Sequence, residues 1–166
     1  LAREEPARAA DLLRPVHDTT GGVDGWGSME VAPLLADDAA SSIKQAAQLH
    51  ARAKRSNLFI KIPGTRAGVP AIEESIAGGV PINVTLLFSC EQYLTAAEAY
   101  MRGIKRRLAA GLDLKVASVA SLFVSRWDGP VKDTVSSELR PRLVFAIATL
   151  PYTAYPTLPA PPARRR

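Results

Sequence analysis

The chain has 166 residues, 47% of them apolar, with 21 Lys and Arg against 16 Asp and Glu for a net charge of +5. That is one ordinary domain of globular composition; no apolar run approaches the ~20 residues of a membrane helix, and a lone cysteine, Cys90, excludes an internal disulfide and favours a reducing cytoplasm. Arg164, Arg165 and Arg166 leave 18 basic against 16 acidic side chains elsewhere, too even a balance for a nucleic-acid surface and one that suits a small phosphorylated substrate.

Ala9, Leu12, Leu13 and Val16 recur at helical spacing and predict a helix over Ala7 to Val16. A glycine-rich turn from Thr20 to Gly25 leads into a short strand at Trp26 to Val31. Asp37 to Lys54 reads as a long alanine-rich helix, with Asp37 or Asp38 as its cap or first-turn acid. Leu58-Phe59-Ile60-Lys61-Ile62 is an apolar, β-favouring run that stops at Pro63-Gly64. A helix is expected from near Pro70 to Gly78-Gly79, then a strand over Pro81 to Phe88. Ser89 and Gln92 have capping-box spacing and start a helix towards Ala110, with Gly103 as a candidate break and Gly111 as its close. Its basic run, Arg102, Lys105, Arg106 and Arg107, has no interleaved aromatics and reads as a solvated helix face. Val116 to Ser121 is a further strand. The order β-α-β-α-β-α-β, with strands apolar on both faces, predicts a parallel sheet wrapped by helices. Beyond Asp128, Leu143 to Tyr152 is a last helix candidate. Pro156, Pro159, Pro161 and Pro162 make residues 154–166 an irregular, disordered Pro/Arg-rich tail to a domain over residues 1–153.

Side chains alternate between the faces of a strand. Leu58, Ile60 and Ile62 therefore share one face, and Phe59 and Lys61 the other. If both faces are covered, the ammonium of Lys61 is partly desolvated, and an ammonium taken out of water releases its proton more readily. The free amine is a nucleophile towards carbonyls, as a Schiff-base enzyme requires. The same facing argument puts Glu30 with Ser28, Asn83 with Thr85, and Ser121 with Ala117 and Val119, leaving Ile82, Val84 and Leu86 on the opposite face of their strand. Each residue alone also fits a structural role: Lys61 as a snorkelling surface lysine, Glu30 as a solvated strand end, Asn83 and Thr85 as partners of nearby backbone, Arg126 as a surface residue. Their convergence on one face points to a barrel interior with a site at the C-terminal strand ends.

Ile60-Lys61-Ile62-Pro63-Gly64-Thr65, Pro81 to Ser89, and Val116 to Arg126 resemble the motifs of transaldolase, in that family's order and spacing. Asp24-Gly25 with Ser28-Met29-Glu30-Val31 resembles a fourth. The likeness runs from about Ala9 to Asp128 and more weakly through Leu143 to Tyr155. Ser125-Arg126-Trp127-Asp128 is similar to the form found in transaldolases fused to glucose-6-phosphate isomerase. The resemblance implies a (β/α)8 barrel that moves a dihydroxyacetone unit between ketose and aldose phosphates in the pentose phosphate pathway, with no metal or organic cofactor. It also implies roles: Lys61 as the Schiff-base nucleophile, Glu30 and Thr85 as holders of a catalytic water, Asn83 and Ser121 as donors to the dihydroxyacetone portion, and Arg126 as a phosphate clamp.

Only four strands match, about the third to the sixth of the family barrel. The expected fold is thus a partial (β/α)8 TIM barrel, a fragment or truncated reading frame without the family's first-strand acid/base aspartate, second-strand asparagine and second phosphate-binding arginine. The expected partners are sugar phosphates, with no nucleic acid or membrane, and a homodimer or complementing chain for the open strand edges. Two other readings stay open: another Schiff-base aldolase acting on a small phosphorylated carbonyl compound, and a non-catalytic half-barrel that dimerises.

Overall fold

The structure, a computed structural model, describes residues 4–127 and 129–158. Four strands, β1 (Gly27–Glu30), β2 (Leu58–Pro63), β3 (Ile82–Leu87) and β4 (Ser118–Leu122), form one sheet in the order β1-β2-β3-β4, and every pairing is parallel. Helix α1 (Glu4–Thr19) precedes the sheet; α2 (Ala39–Ala53), α3 (Gly68–Ala77) and α4 (Cys90–Ala109) connect the strands; α5 (Arg140–Ala154) follows. When spatial order follows chain order, the right-handed crossover rule puts every connecting helix on the same side. The result is the wall of a (β/α)8 barrel, four βα units long, as the alternation in the sequence predicts. Among the described residues no helix is long and apolar enough to cross a membrane.

The helix-side face holds the sheet together. Leu58, Ile60, Ile62, Ile82 and Leu87 have no solvent-exposed surface, and they form one cluster with Ile72 and Ile76 of α3, Ala46 of α2, and Ala96, Ala99 and Ile104 of α4. Below the sheet, the buried Asn57 side chain donates to the carbonyls of Ala10 (2.7 Å) and Gly25 (2.9 Å), joining α1 and the first turn to the start of β2. The helix starts follow their caps. Asp38 accepts from the Ser41 amide at 2.9 Å, and Ser89 accepts from the Gln92 amide at 3.2 Å. Gln92 reaches back one residue further than a standard capping box and accepts from the Phe88 amide at 2.8 Å.

Several expectations need correction. Helix α4 runs unbroken through Gly103, where a Cβ would lie 2.8 Å from Ile76; the glycine lets α3 and α4 approach closely. Helix α3 does start near Pro70, as expected, at Gly68. The basic run is an exposed helix face, as expected, at Arg102, Lys105 and Arg106, and it also makes contacts: Arg102 bonds Glu73, Arg106 bonds Glu74 through two nitrogens, and Arg107 donates to the carbonyls of Ala77 and Asp113. The Arg106 guanidinium holds the Glu74 carboxyl below the usual carboxylate range. These arginines brace α3 against α4, a bridging role that the helix-face pattern alone does not reveal. Not every strand is apolar on both faces: β1 alternates buried and exposed, and β4 has no buried residue. In the tail, Tyr155–Thr157 forms a 3-10 turn instead of irregular chain; Asp128 and residues 159–166 lie outside the described residues.

Leu86 breaks the alternation of β3. Its φ is +55°, a left-handed conformation that costs a non-glycine residue about 1 kcal/mol or more. The pairing with β4 passes from Val84–Ala120 to Leu87–Leu122, so β3 spends one extra residue there and bulges. Leu86 is consequently 39% exposed, and Leu87 takes the core position that strict alternation assigns to Leu86.

Candidate active site

Register brings the polar residues of the other face together. Glu30 pairs across with Lys61, and Lys61 with Asn83. In a parallel ladder such partners point to the same side, so a carboxylate, an amine and an amide sit side by side on three neighbouring strands. Lys61 Nζ lies 3.4 Å from Glu30 Oε2. That is a loose ion pair, with side-chain exposures of 32% and 46% respectively. The expectation that both faces of β2 are covered holds in the main: the helix side is sealed, and on the other face Phe59 and Pro63 are buried while Lys61 is partly exposed. Phe59, on the same side nearer the strand start, is covered by Trp26, which stacks on it at 4.2 Å between ring centroids.

Asn83 is held from both directions. Ser121 Oγ donates to its Oδ1 at 2.8 Å, and its Nδ2 approaches Ser28 Oγ at 3.4 Å. The amide therefore spans β1 to β4 across the strand of Lys61, held at both ends by serine hydroxyls. Ser28 has no assigned role from the sequence; its shared face with Glu30 was the available signal.

Thr85, two residues along from Asn83, differs from its neighbours. It is only 2% exposed, and its hydroxyl, wholly out of solvent, has no hydrogen-bond partner. A buried unpaired hydroxyl costs about 1–3 kcal/mol, and such groups concentrate where a water or substrate belongs.

Arg126 sits apart, in a 3-10 turn (Ser125–Trp127) beyond β4. Its guanidinium carbon lies 5.4 Å from the Phe123 ring centroid, a cation–π distance. Phe123 in turn stacks on Phe88, which meets Trp127 edge-on. Arg126 is exposed, and it makes no ion pair among the described residues. A separate cavity of about 510 Å³ lies between α4, β4 and the last turn, with Tyr93, Tyr100, Met101 and Tyr155 in its wall. None of the six candidate residues lines it, and its wall carries no ionised group.

The family described as Transaldolase/Fructose-6-phosphate aldolase matches residues 1–155. "Transaldolase 1" of Streptomyces avermitilis is 46% identical over 155 residues, covering 89% of this chain and 41% of that protein. "Transaldolase 2" of Nostoc punctiforme is 49% identical over 121 residues, 72% of this chain and 32% of its own length. "Transaldolase" of Neisseria gonorrhoeae is 42% identical over 153 residues, 92% of this chain and 44% of its own. The chain thus spans less than half the length of these curated relatives.

Proposed function

The chain belongs to the Transaldolase/Fructose-6-phosphate aldolase family, and from that premise we propose that Lys61 forms a Schiff base with a ketose phosphate. The observation carrying this reading is the grouping of Lys61, Glu30 and the Asn83–Ser121 pair on one face of adjoining strands. The amine adds to the ketone carbon of fructose 6-phosphate and loses water to give an iminium. Cleavage of the C3–C4 bond sends its electron pair into the iminium, leaving an enamine on Lys61 and releasing glyceraldehyde 3-phosphate. The enamine attacks the aldehyde carbon of erythrose 4-phosphate, and hydrolysis of the new iminium frees sedoheptulose 7-phosphate and the amine.

Glu30 and Thr85 hold a water that moves protons as the iminium forms and hydrolyses; the unpaired Thr85 hydroxyl supports that role. Asn83 and Ser121 orient the dihydroxyacetone hydroxyls. Arg126 takes the phosphate, to which its fork is suited. Cleavage also needs a base for the C4 hydroxyl proton, and in the resembling family this is an aspartate on a strand outside the four matched here. Full transfer, in the pentose phosphate exchange of a reducing cytoplasm, is accordingly proposed for the whole barrel, and adduct formation for these residues. The relatives' names favour transfer over simple cleavage as the reaction.

Incubation with fructose 6-phosphate and sodium borohydride tests the reading. Hydride adds to the iminium carbon and locks the sugar on nitrogen as a secondary amine, and peptide mapping locates it. Mass gained at Lys61, and lost in Lys61→Met, is the expected result. No adduct, or one spread over surface lysines, overturns the assignment.

A further inference from the structure

We propose that Thr65 is a positioning residue for the Schiff-base site: its hydroxyl locks the segment after Glu30 onto the turn after Lys61, and so sets the carboxylate relative to the amine. This rests on the Lys61 reading above. The ion pair itself is too weak to hold that geometry. At 3.4 Å and with both side chains partly exposed, it contributes no more than an ordinary surface pair, whose worth is small beside the cost of fixing two flexible side chains. The geometry is therefore held through the backbone, first by the β1–β2 ladder, in which Glu30 and Lys61 are partners, and then by the contacts of the segments that leave it.

Glu30 ends β1 and Lys61 lies two residues before the end of β2. The two strands stay paired up to the bond from the Val31 amide to the Lys61 carbonyl, 3.2 Å long. Beyond it the chain after Glu30 leaves the sheet as a loop. Thr65 Oγ1 meets that loop by donating to the Ala36 carbonyl at 2.6 Å, and the same oxygen accepts from the Gly68 amide at 3.0 Å. Both polarities of the hydroxyl are used, so only serine or threonine supplies the pair of bonds. The turn is fixed on its other flank as well, where the Gly64 amide donates to the Thr85 carbonyl at 2.7 Å. Gly68 packs so tightly under Pro63 that a Cβ there would lie 1.9 Å from the Pro63 carbonyl oxygen, which leaves the turn no room to shift. One two-residue turn, Gly64-Thr65, is therefore bonded to the loop behind Glu30 and to the strand end carrying Thr85, while it directly continues the strand of Lys61. The segment after Glu30 is also tied to α2, where the Ala32 amide donates to Gln45 Oε1 at 2.5 Å and Ser42 Oγ donates to the Leu35 carbonyl at 2.9 Å. The Ala36 bond is its tie to the turn after Lys61, so releasing it loosens the Glu30 side against that turn and leaves the Thr85 side in place.

The experiment measures the rate of borohydride-trapped adduct at Lys61 with fructose 6-phosphate in Thr65→Val, which keeps the shape and loses both bonds, and in Thr65→Ser, which keeps both. The valine variant should trap on the order of tenfold more slowly, and the serine variant should stay within about twofold of the parent. The discriminating readout is the same comparison in a Glu30→Gln background. If Thr65 acts through Glu30, the valine substitution adds less than about twofold once the carboxylate is gone, whereas a general loosening of the fold stays additive. Additive effects, or a valine variant as fast as the parent, overturn the proposal. Should Thr65→Val not fold, Thr65→Ala takes its place; if neither folds, Thr65 serves stability alone and the proposal fails. A parent chain giving no adduct at Lys61 sinks the functional reading itself, an outcome distinct from a trapping parent that ignores the loss of the hydroxyl.

Discussion

The two faces of the sheet obey opposite rules. On the helix side, side chains at every second position of β2 are aliphatic and fully buried: Leu58, Ile60, Ile62. On the other side the same strands present Glu30, Lys61, Asn83 and Ser121, joined by a loose ion pair and one good side-chain hydrogen bond. The first face supplies the stability, and the second gives positions that would otherwise bury apolar surface to the polar groups for which we propose the chemistry. Substitutions on the two faces should therefore separate cleanly into those that unfold the chain and those that silence it.

The largest effect belongs to the sealed face. Ile60→Ala removes a fully buried side chain at the centre of the cluster and is expected to cost about 2–5 kcal/mol in urea unfolding. A cost below about 1 kcal/mol would show that the cluster is not the main support of the sheet. Gly103→Ala comes next. Its new methyl meets Ile76 at 2.8 Å and the Glu73 carbonyl at 2.9 Å, overpacking α3 against α4 at a cost of about 1–3 kcal/mol. An unchanged unfolding midpoint would mean that the helices can part without penalty.

On the polar face the sign reverses. Thr85→Val replaces a buried, unpartnered hydroxyl with a methyl of nearly the same shape and should raise stability by about 1 kcal/mol. The same change should slow adduct formation at Lys61, separating the two roles at one position. A variant that is less stable than the parent would show that a water already satisfies the hydroxyl.

The contrast between faces also marks what the sequence makes legible. The burial of Leu58, Ile60 and Ile62 follows from alternation alone, and so does the sharing of a face by Glu30 and Ser28. Leu86 escapes that logic because nothing in a leucine announces a left-handed φ; the bulge arises from how β3 must meet β4. Gly103 inside a helical pattern signals either a break or a close neighbour, and only the position of Ile76 decides between them. Thr65 is quoted within a motif, yet its partner is a backbone carbonyl 29 positions earlier, and backbone carbonyls have no sequence signature. The partial exposure of Lys61 between the buried Phe59 and Pro63 escapes for a similar reason: an apolar run shows what one strand prefers, while the coverage of one side chain depends on what stands opposite.

The smallest effect lies at the edge of the sealed face, in α2. His50 is partly buried, and its Nδ1 is out of solvent with no hydrogen-bond partner. Desolvation lowers its pKa from the ordinary histidine value. The unfolded chain therefore binds a proton at this site at a pH where the folded chain still does not, and stability must rise with pH across that interval. Run downwards, the stabilising difference is intact above the ordinary value of about 6.5 and is lost as pH falls through the lowered folded value. Urea midpoints measured from pH 7.5 down to 5 should accordingly decline, and His50→Gln, which cannot take up the proton, should flatten part of that decline. The carboxylates contribute a slope of their own at the acid end, since Glu74, Asp11 and Asp38 all hold their protons less readily in the folded chain, but that slope is common to both proteins and cancels in the comparison. If the two curves run parallel throughout, His50 is solvated enough to charge freely, and the sealed face ends one turn of helix sooner than its packing indicates.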